Sequence, residues 1–278
     1  MTTMCRVLGV SPSGYWAWAG RSVRPRPAVE VALVEAIRAA HAGSRGTYGA
    51  PRIHAVLCAA GWRVNRKRVA RLMRAEGVAG IHRRRYRVPG ATADRPRSVA
   101  PDLVRRRFRA DGPDRLWVAD ITELPTAVGP LYLAAIVDAF SRRVVGWALA
   151  EHTRTSLVIA ALDIALATRD PSPGLVHHSD RGTQYTSVAL GERLAAAGIA
   201  ASMGSPGTAY DNAMAESFFA SLETELIDRS WWPSHDAARL AVFDWIERFY
   251  NRSRLHSKIG NLSPDEFERR YRETTPAA

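Results

Sequence analysis

The segment from Leu116 to Leu226 alternates between short apolar runs and helical runs, and this alternation limits how the chain can fold. Three strands joined by short turns come first, and helices then alternate with strands. The predicted strands are 117–124, 131–138, 142–151, 175–178 and 199–203, and the predicted helices are 155–168, 187–197 and 213–226. This order predicts an α/β fold in which a mixed sheet is covered by helices on both faces.

Three carboxylates lie at awkward places in this segment: Asp120, Asp180 and Glu216. Asp120 follows an apolar run inside a predicted strand, where a lone charge costs several kcal/mol unless it is paired or bound to a cation. Three oxygen ligands from separate elements suit Mg²⁺ or Mn²⁺. Two such ions about 3.5–4 Å apart would stabilise the attacking and the leaving oxygen in an in-line displacement at phosphorus. Each carboxylate taken alone also fits a helix cap or a salt-bridge partner.

The spacing and surroundings of these residues resemble the D,D-35-E catalytic core of retroviral integrases and many bacterial transposases. The nearest resemblance is to the orf B transposase of insertion sequences that encode their enzyme in two overlapping frames. The matching stretches are 48–53, 67–73, 117–122, 178–185, 211–219, 250–256 and 262–264. The resemblance implies an RNase H-like fold preceded by a small helical domain. It also implies that Asp120, Asp180 and Glu216 are catalytic and bind two Mg²⁺ or Mn²⁺ ions.

The charge of the chain predicts a polyanionic partner. The formal net charge is +12 and the pI is about 10.5. Only Lys67 and Lys258 are lysines, so the basic residues are almost all arginines, which bind phosphate with two donors at once. No apolar run is long enough for a membrane span, and the N-terminus lacks an export signal. We therefore expect a cytoplasmic, nucleoid-associated bacterial protein that binds DNA and not a membrane.

Five regions are expected along the chain. They are a junction segment at 1–27, a helix-turn-helix-like domain at 28–80, a basic linker at 81–112, the catalytic core at 113–230 and a helical extension at 231–278. In the second region, helices are predicted at 28–41, 51–60 and 66–76, the last one capped by Asn65. The first region is predicted to join an upstream (orf A) product made by frameshifting, as the resemblance implies.

Several basic or polar side chains are predicted to contact DNA. Arg66, Lys67, Arg68 and Arg71 lie on the third predicted helix, although such a face can also be merely solvated. The remaining predicted contacts are Arg181, Asn212, Arg252 and Arg254. Next to the second aspartate, His177 and His178 are expected to pack or to form hydrogen bonds rather than to bind metal.

One residue departs from the pattern that the resemblance implies. Glu223 lies two helical turns after Glu216, where related enzymes commonly carry a lysine or an arginine that touches the DNA end. An acidic side chain there would repel phosphate.

Two helices are predicted at the C-terminal end of the chain. The first is predicted at 240–250, and the last is expected to begin at a capping box formed by Ser263 and Glu266.

These observations predict a DNA transposase that cuts and joins the ends of its own insertion element at a target site. Synapsis of two element ends implies a homo-multimer. Two alternatives remain at this point: a DNA-binding remnant without activity, or an RNase H-like nuclease that only hydrolyses.

Overall fold

A computed structural model of the protein describes residues 1–20, 27–81, 100–105, 107–204 and 213–275. The described part consists of helices at the N-terminal side, followed by a sheet with helices on both faces. Every helix in these ranges is too short or too polar to span a lipid bilayer.

Two short helices open the chain, α1 at Thr2–Val7 and α2 at Pro12–Ala19. Ser11 caps α2, because its hydroxyl accepts a hydrogen bond from the Gly14 amide at 3.0 Å. No residue of α2, which is described in full, is buried. This helix therefore adds no side chain to the core.

Three longer helices then pack together as the predicted helix-turn-helix-like unit: α3 (Ala28–Gly43), α4 (Ala50–Ala59) and α5 (Arg66–Ala75). Asn65 caps α5, because its side-chain oxygen accepts a hydrogen bond from the Arg68 amide at 2.8 Å. Each helix buries apolar residues spaced three or four apart. They include Leu33, Ile37, Ile53, Leu57, Val69 and Leu72.

The sheet has five strands in the order β3-β2-β1-β4-β5. The strands are β1 (Leu116–Leu124), β2 (Leu131–Asp138), β3 (Val144–Ala150), β4 (Val176–Ser179) and β5 (Ala200–Met203). The first three form an antiparallel meander, and β4 and β5 run parallel to β1. The structure thus confirms the predicted mixed, RNase H-like sheet, and β1 lies at its centre.

Helices cover both faces of the sheet. On one face, α6 (Thr155–Arg169) and α7 (Val188–Ala196) pack against the sheet. On the other face lie α8 (Ala213–Glu225), α9 (His235–Phe243) and side chains of α3, α4 and α5. The small helical domain and the sheet therefore share one apolar core.

A glycine allows α6 to approach β3 very closely. A Cβ atom added to Gly146 would lie 2.3 Å from the Ala161 carbonyl oxygen and 2.7 Å from the Ala165 Cβ. Only hydrogen fits between the strand and the helix at this point. This contact fixes the distance of α6 from the sheet.

The C-terminal helices differ in part from the prediction. Helix α9 begins at His235, not at residue 240, because the Ser234 hydroxyl caps it by accepting a hydrogen bond from the Ala237 amide at 3.2 Å. The chain continues directly into a π-helical segment at Asp244–Tyr250. The last helix, α10, spans Pro264–Thr274.

The predicted capping box of α10 is only half formed. The Ser263 hydroxyl accepts a hydrogen bond from the Glu266 amide at 3.3 Å. The Glu266 carboxylate instead pairs with Arg269 and Arg270, at 2.7 Å and 2.6 Å. These arginines lie one helical turn further on, so a local ion pair replaces the second hydrogen bond of the box.

The end of the predicted basic linker is packed against the sheet. Val104 is buried, the Leu103 amide donates to the Ser202 hydroxyl at 3.0 Å, and the ring of Phe108 contacts His178 edge to face. Residues 82–99 and 106 of that predicted linker lie outside the described residues. Leu103, Val104 and Phe108 of this predicted linker thus lie against the core.

Candidate active site

Asp120 occupies the middle of the central strand, where it pairs across the sheet with Ala135. Its side-chain oxygen accepts a hydrogen bond from the Ile121 amide at 2.8 Å. Burial, together with the negative charges of Asp180 and Glu216, raises the pKa of the Asp120 carboxyl to about 7. The amide hydrogen bond opposes this shift. The surroundings of Asp120 thus disfavour the charged form of its carboxyl group.

Asp180 is the first residue after β4, the strand that runs parallel to β1. Its carboxylate is exposed and accepts a hydrogen bond from the Gly182 amide at 3.0 Å. A Cβ atom on Gly182 would lie 3.1 Å from both the Asp180 Oδ1 and the Gln184 Oε1. The glycine therefore lets this tight turn hold the carboxylate at the edge of the sheet.

Glu216 lies in the first turn of α8 and is exposed. It is near enough to Asp120 for its charge to raise the pKa of that carboxyl. The three predicted carboxylates thus come from the central strand, the turn after its neighbour and a helix.

Asp120 and Asp180 line one cavity of about 270 Å³. Glu123, which was not singled out from the sequence, lies at the same cavity, and Glu216 is outside its lining. In the described ranges no three acidic, histidine or cysteine side chains are close enough together to hold one ion. Nor does any described arginine or lysine form an ion pair with Asp120 or Asp180. The negative charge in this cavity fits hard cations by its chemistry, although the carboxylates do not form a closed cage.

The two histidines before Asp180 are buried, as expected. His178 shares a hydrogen bond with the Ser202 hydroxyl at 2.9 Å. Burial lowers the pKa of His177 to about 4, so its ring is neutral at physiological pH. Its Nε2 and the hydroxyl of nearby Tyr185 make no hydrogen bond within the described structure. Burial also raises the pKa of Tyr185 well above its ordinary value, and the charges of Asp120 and Asp180 add to this rise.

The predicted DNA-contact residues of α5 are all exposed. Arg68 and Arg71 both reach Glu30 of α3, at 3.2 Å each. An internal carboxylate therefore balances part of the positive charge on this face. Arg66 and Lys67 form no ion pair with another described residue.

The other predicted DNA-contact residues are placed very differently. Arg181 donates through its Nε to the Gly204 carbonyl at 2.6 Å, which ties the turn after β4 to the end of β5. Arg252 is exposed, and Asn212 lies outside the described residues. Arg254 is buried, and its guanidinium binds the Glu225 carboxylate at 2.6 Å and 2.8 Å. Its position indicates an internal ion pair and not an exposed DNA contact, because buried charges are stable only when they are paired.

Three models of known protein families match this chain. Residues 28–86 match a family model of an HTH-like domain, and residues 110–209 and 197–264 match two models of an integrase core domain. An insertion element IS600 uncharacterized 31 kDa protein of Shigella sonnei is 36% identical, over 97% of this chain and 99% of its own. The putative transposase for insertion sequence element IS986/IS6110 of Mycobacterium tuberculosis is 39% identical, over 94% and 96%. Transposase InsF for insertion sequence IS3A of Escherichia coli is 38% identical, over 95% and 92%.

Proposed function

The chain belongs to the family of insertion-sequence transposases, and we propose that Asp120, Asp180 and Glu216 are the carboxylates with which it joins DNA strands. It is a DNA transposase with an integrase-type core, and thus a polynucleotidyl transferase. The observation that carries the assignment is the pair of aspartates in one cavity. Asp120 is held there with its pKa raised to about 7 and with no cationic side chain from the described residues beside it.

Divalent ions fit this group of ligands. Asp120 and Asp180 would hold Mg²⁺ or Mn²⁺ through oxygen atoms, and Glu216 would complete the set from α8. Two bound ions supply activation of the attacking oxygen and charge stabilisation at the leaving oxygen. Glu216 lies outside the cavity of the two aspartates. We therefore infer that α8 shifts toward β1 when the ions and DNA are bound.

The surrounding residues hold the carboxylates in place. The Ile121 amide fixes one oxygen of Asp120, and the Gly182 amide fixes one oxygen of Asp180. Both aspartates therefore offer their remaining oxygens in defined directions. Such preorganisation reduces the rearrangement that is needed when a ligand binds.

The remaining parts of the proposal concern the partners. The HTH-like domain would bind the terminal repeats of the element, with Arg66 and Lys67 facing the DNA backbone. Two ends must be brought together, so we propose a homo-multimer. We also propose fusion to an upstream-frame product and action in the bacterial cytoplasm, where the DNA substrate lies. Neither a remnant without activity nor a nuclease that only hydrolyses is favoured, because full-length relatives are named as transposases.

The test uses labelled element-end DNA and a target duplex with Mg²⁺ or Mn²⁺, with the protein alone and fused to the upstream-frame product. We expect joined products from the wild type and none from Asp120→Asn, Asp180→Asn or Glu216→Gln, while all three variants still bind DNA. Glu192→Gln is a matched control, because Glu192 is an exposed glutamate on α7. Strand transfer at the wild-type rate in Asp120→Asn would refute the assignment.

A further inference from the structure

A second cavity, of about 120 Å³, lies where the HTH-like domain, the sheet and the C-terminal segment meet. Its lining is strongly basic and carries several hydroxyl groups. The residues that matter here are Arg52, Arg142, Arg254, Lys258, Ser217 and Ser221. Ser217 and Lys258 are exposed, so the cavity opens to the surface on their side. We call it the cationic pocket.

The positive charge of the cationic pocket is only partly balanced from within the protein. Glu225 binds Arg254 at 2.6 Å and lies 3.7 Å from Arg52, so one carboxylate serves two arginines. His256 adds no charge, because burial and the neighbouring arginines lower its pKa well below the ordinary value. Four cationic side chains thus face one carboxylate, which leaves the pocket with a net positive charge.

Arg142 is the residue that most clearly indicates an anion-binding role for the cationic pocket. It is half-buried, and its guanidinium forms no ion pair or hydrogen bond with any other described side chain. Burial lowers the pKa of this guanidinium. The Asp138 carboxylate attracts this guanidinium only from a distance, without an ion pair, and burial outweighs that attraction. An arginine kept partly out of water in this way is costly for the folded protein. An anion bound in the pocket would remove that cost.

The backbone holds Arg142 firmly in this position. Its φ of 68° is in the left-handed region, which is strained for a residue other than glycine. The Arg142 amide donates to the Asp138 carbonyl at 2.9 Å, and the Ser141 amide donates to the fully buried Asp138 carboxylate at 2.8 Å. Strain of this kind persists where the surrounding structure imposes it, and it is concentrated at functional sites.

We propose that the cationic pocket binds one backbone phosphate of a DNA strand, an inference that rests on the proposed function. Guanidinium, ammonium and hydroxyl groups all donate hydrogen bonds, and a phosphodiester offers oxygen acceptors in several directions. The DNA on which the enzyme acts supplies such groups in a row. A phosphate in this pocket would touch the HTH-like domain through Arg52 and the core through Arg142, so it would couple the two.

The pocket also adjoins the helix that carries Glu216. Ser217 and Ser221 lie four residues apart on α8 and line the pocket, and Met214 precedes Ser217 by three. Glu216 is two residues from Met214 and so projects from another side of the helix. A phosphate held at Ser217 would therefore fix α8 through a side chain that points about 100° away from Glu216.

The experiment measures how DNA affinity changes with salt, for the full chain with a duplex and EDTA, so that no cleavage occurs. Binding weakens as salt rises, so log K has a negative slope against log salt concentration, and each lost phosphate contact decreases the magnitude of that slope by about 0.9. We expect that decrease in Arg142→Gln and again in Lys258→Gln, whose exposed side chain carries little risk to folding. Arg248→Gln, at a side chain that is 71% exposed and away from the pocket, should leave the slope unchanged.

A second measurement separates the possible sources of phosphate. Unfolding midpoints are compared in inorganic phosphate and in chloride at equal ionic strength. A midpoint raised by phosphate in the wild type but not in Arg142→Gln, with an unchanged DNA slope, would assign the pocket to free phosphate and overturn the DNA assignment. Unchanged slopes and unchanged midpoints would overturn the site altogether. Strand transfer is scored separately, so a failed slope test with active enzyme leaves the proposed function intact.

Discussion

Replacing Asp120 with asparagine should stabilise the metal-free protein while abolishing strand transfer. The carboxyl has an ordinary pKa of 3.8, which the fold raises to about 7. Below pH 3.8 it is protonated in both the folded and the unfolded protein, so it does not affect stability. Between pH 3.8 and 7 the unfolded chain loses the proton first, and the free energy of unfolding falls as the pH rises. Above pH 7 the full penalty is present.

The size of the penalty follows from the shift in pKa. One pKa unit corresponds to about 1.4 kcal/mol. A rise from 3.8 to about 7 therefore costs on the order of 4 kcal/mol at pH 8, and about 2 kcal/mol at pH 5. These are upper values, because water that enters the site lowers the cost. Asparagine has no proton to lose, and its side-chain oxygen can still accept the hydrogen bond from the Ile121 amide.

Urea unfolding in EDTA at pH 5 and pH 8 tests this reasoning. Asp120→Asn should be more stable than the wild type at both pH values, and the gain should be about 2 kcal/mol larger at pH 8. Asp111→Asn, at an exposed carboxylate, serves as the control. Mg²⁺ should raise the midpoint of the wild type and not that of Asp120→Asn. An equal gain at both pH values, or a less stable variant at pH 8, would refute the electrostatic argument.

Three further predictions concern packing and charge. Gly146→Ala should destabilise the protein by about 1–3 kcal/mol, because the new methyl group would meet the Ala161 carbonyl, whereas Gly191→Ala in α7, with nothing within 4 Å, should be neutral or stabilising in the same urea titration. Glu225→Ala should cost about 3–5 kcal/mol by leaving Arg254 buried without its partner, and a wild-type unfolding midpoint would contradict the buried ion pair. Glu223→Lys should raise affinity for element-end DNA by up to about fivefold, since an exposed ion pair contributes at most about 1 kcal/mol, and unchanged binding would place Glu223 away from the DNA.

Much of the fold followed from local patterns. Apolar runs predicted β1 and β2, and helical periodicity predicted the helices, close to their observed bounds. Buried strands and buried helix faces both produce a regular pattern of apolar residues in the sequence. The predicted start of this helix, at residue 240, was wrong because α9 begins with polar residues. There a serine cap sets the beginning of the helix, and the apolar anchors Trp245 and Ile246 come later, in the π-helical part.

Less of the candidate site than of the fold could be predicted from the sequence. That Asp120 and Asp180 share a cavity follows from parallel neighbouring strands, which the order of elements predicts. The ion pair of Arg254 with Glu225 joins residues 29 apart, and no local pattern indicates it. The sequence of a loop rich in arginine indicates charge, but it does not show which arginine points inward. The sequence likewise does not indicate that Arg142 lines a pocket. The position of Arg142 depends on a turn that Asp138, four residues earlier, holds in place.

The three glutamates Glu216, Glu223 and Glu225 on α8 show why position on a helix decides function. Seven residues make nearly two full turns, so Glu223 shares the side of Glu216, and both are exposed. Nine residues make two and a half turns, so Glu225 points the opposite way, where it is buried against Arg254. Charge changes at Glu223 should therefore act on DNA beside the carboxylates, and changes at Glu225 should act on stability and on the cationic pocket. One helix thus carries a carboxylate whose charge reaches Asp120 and two serines that line the positive pocket.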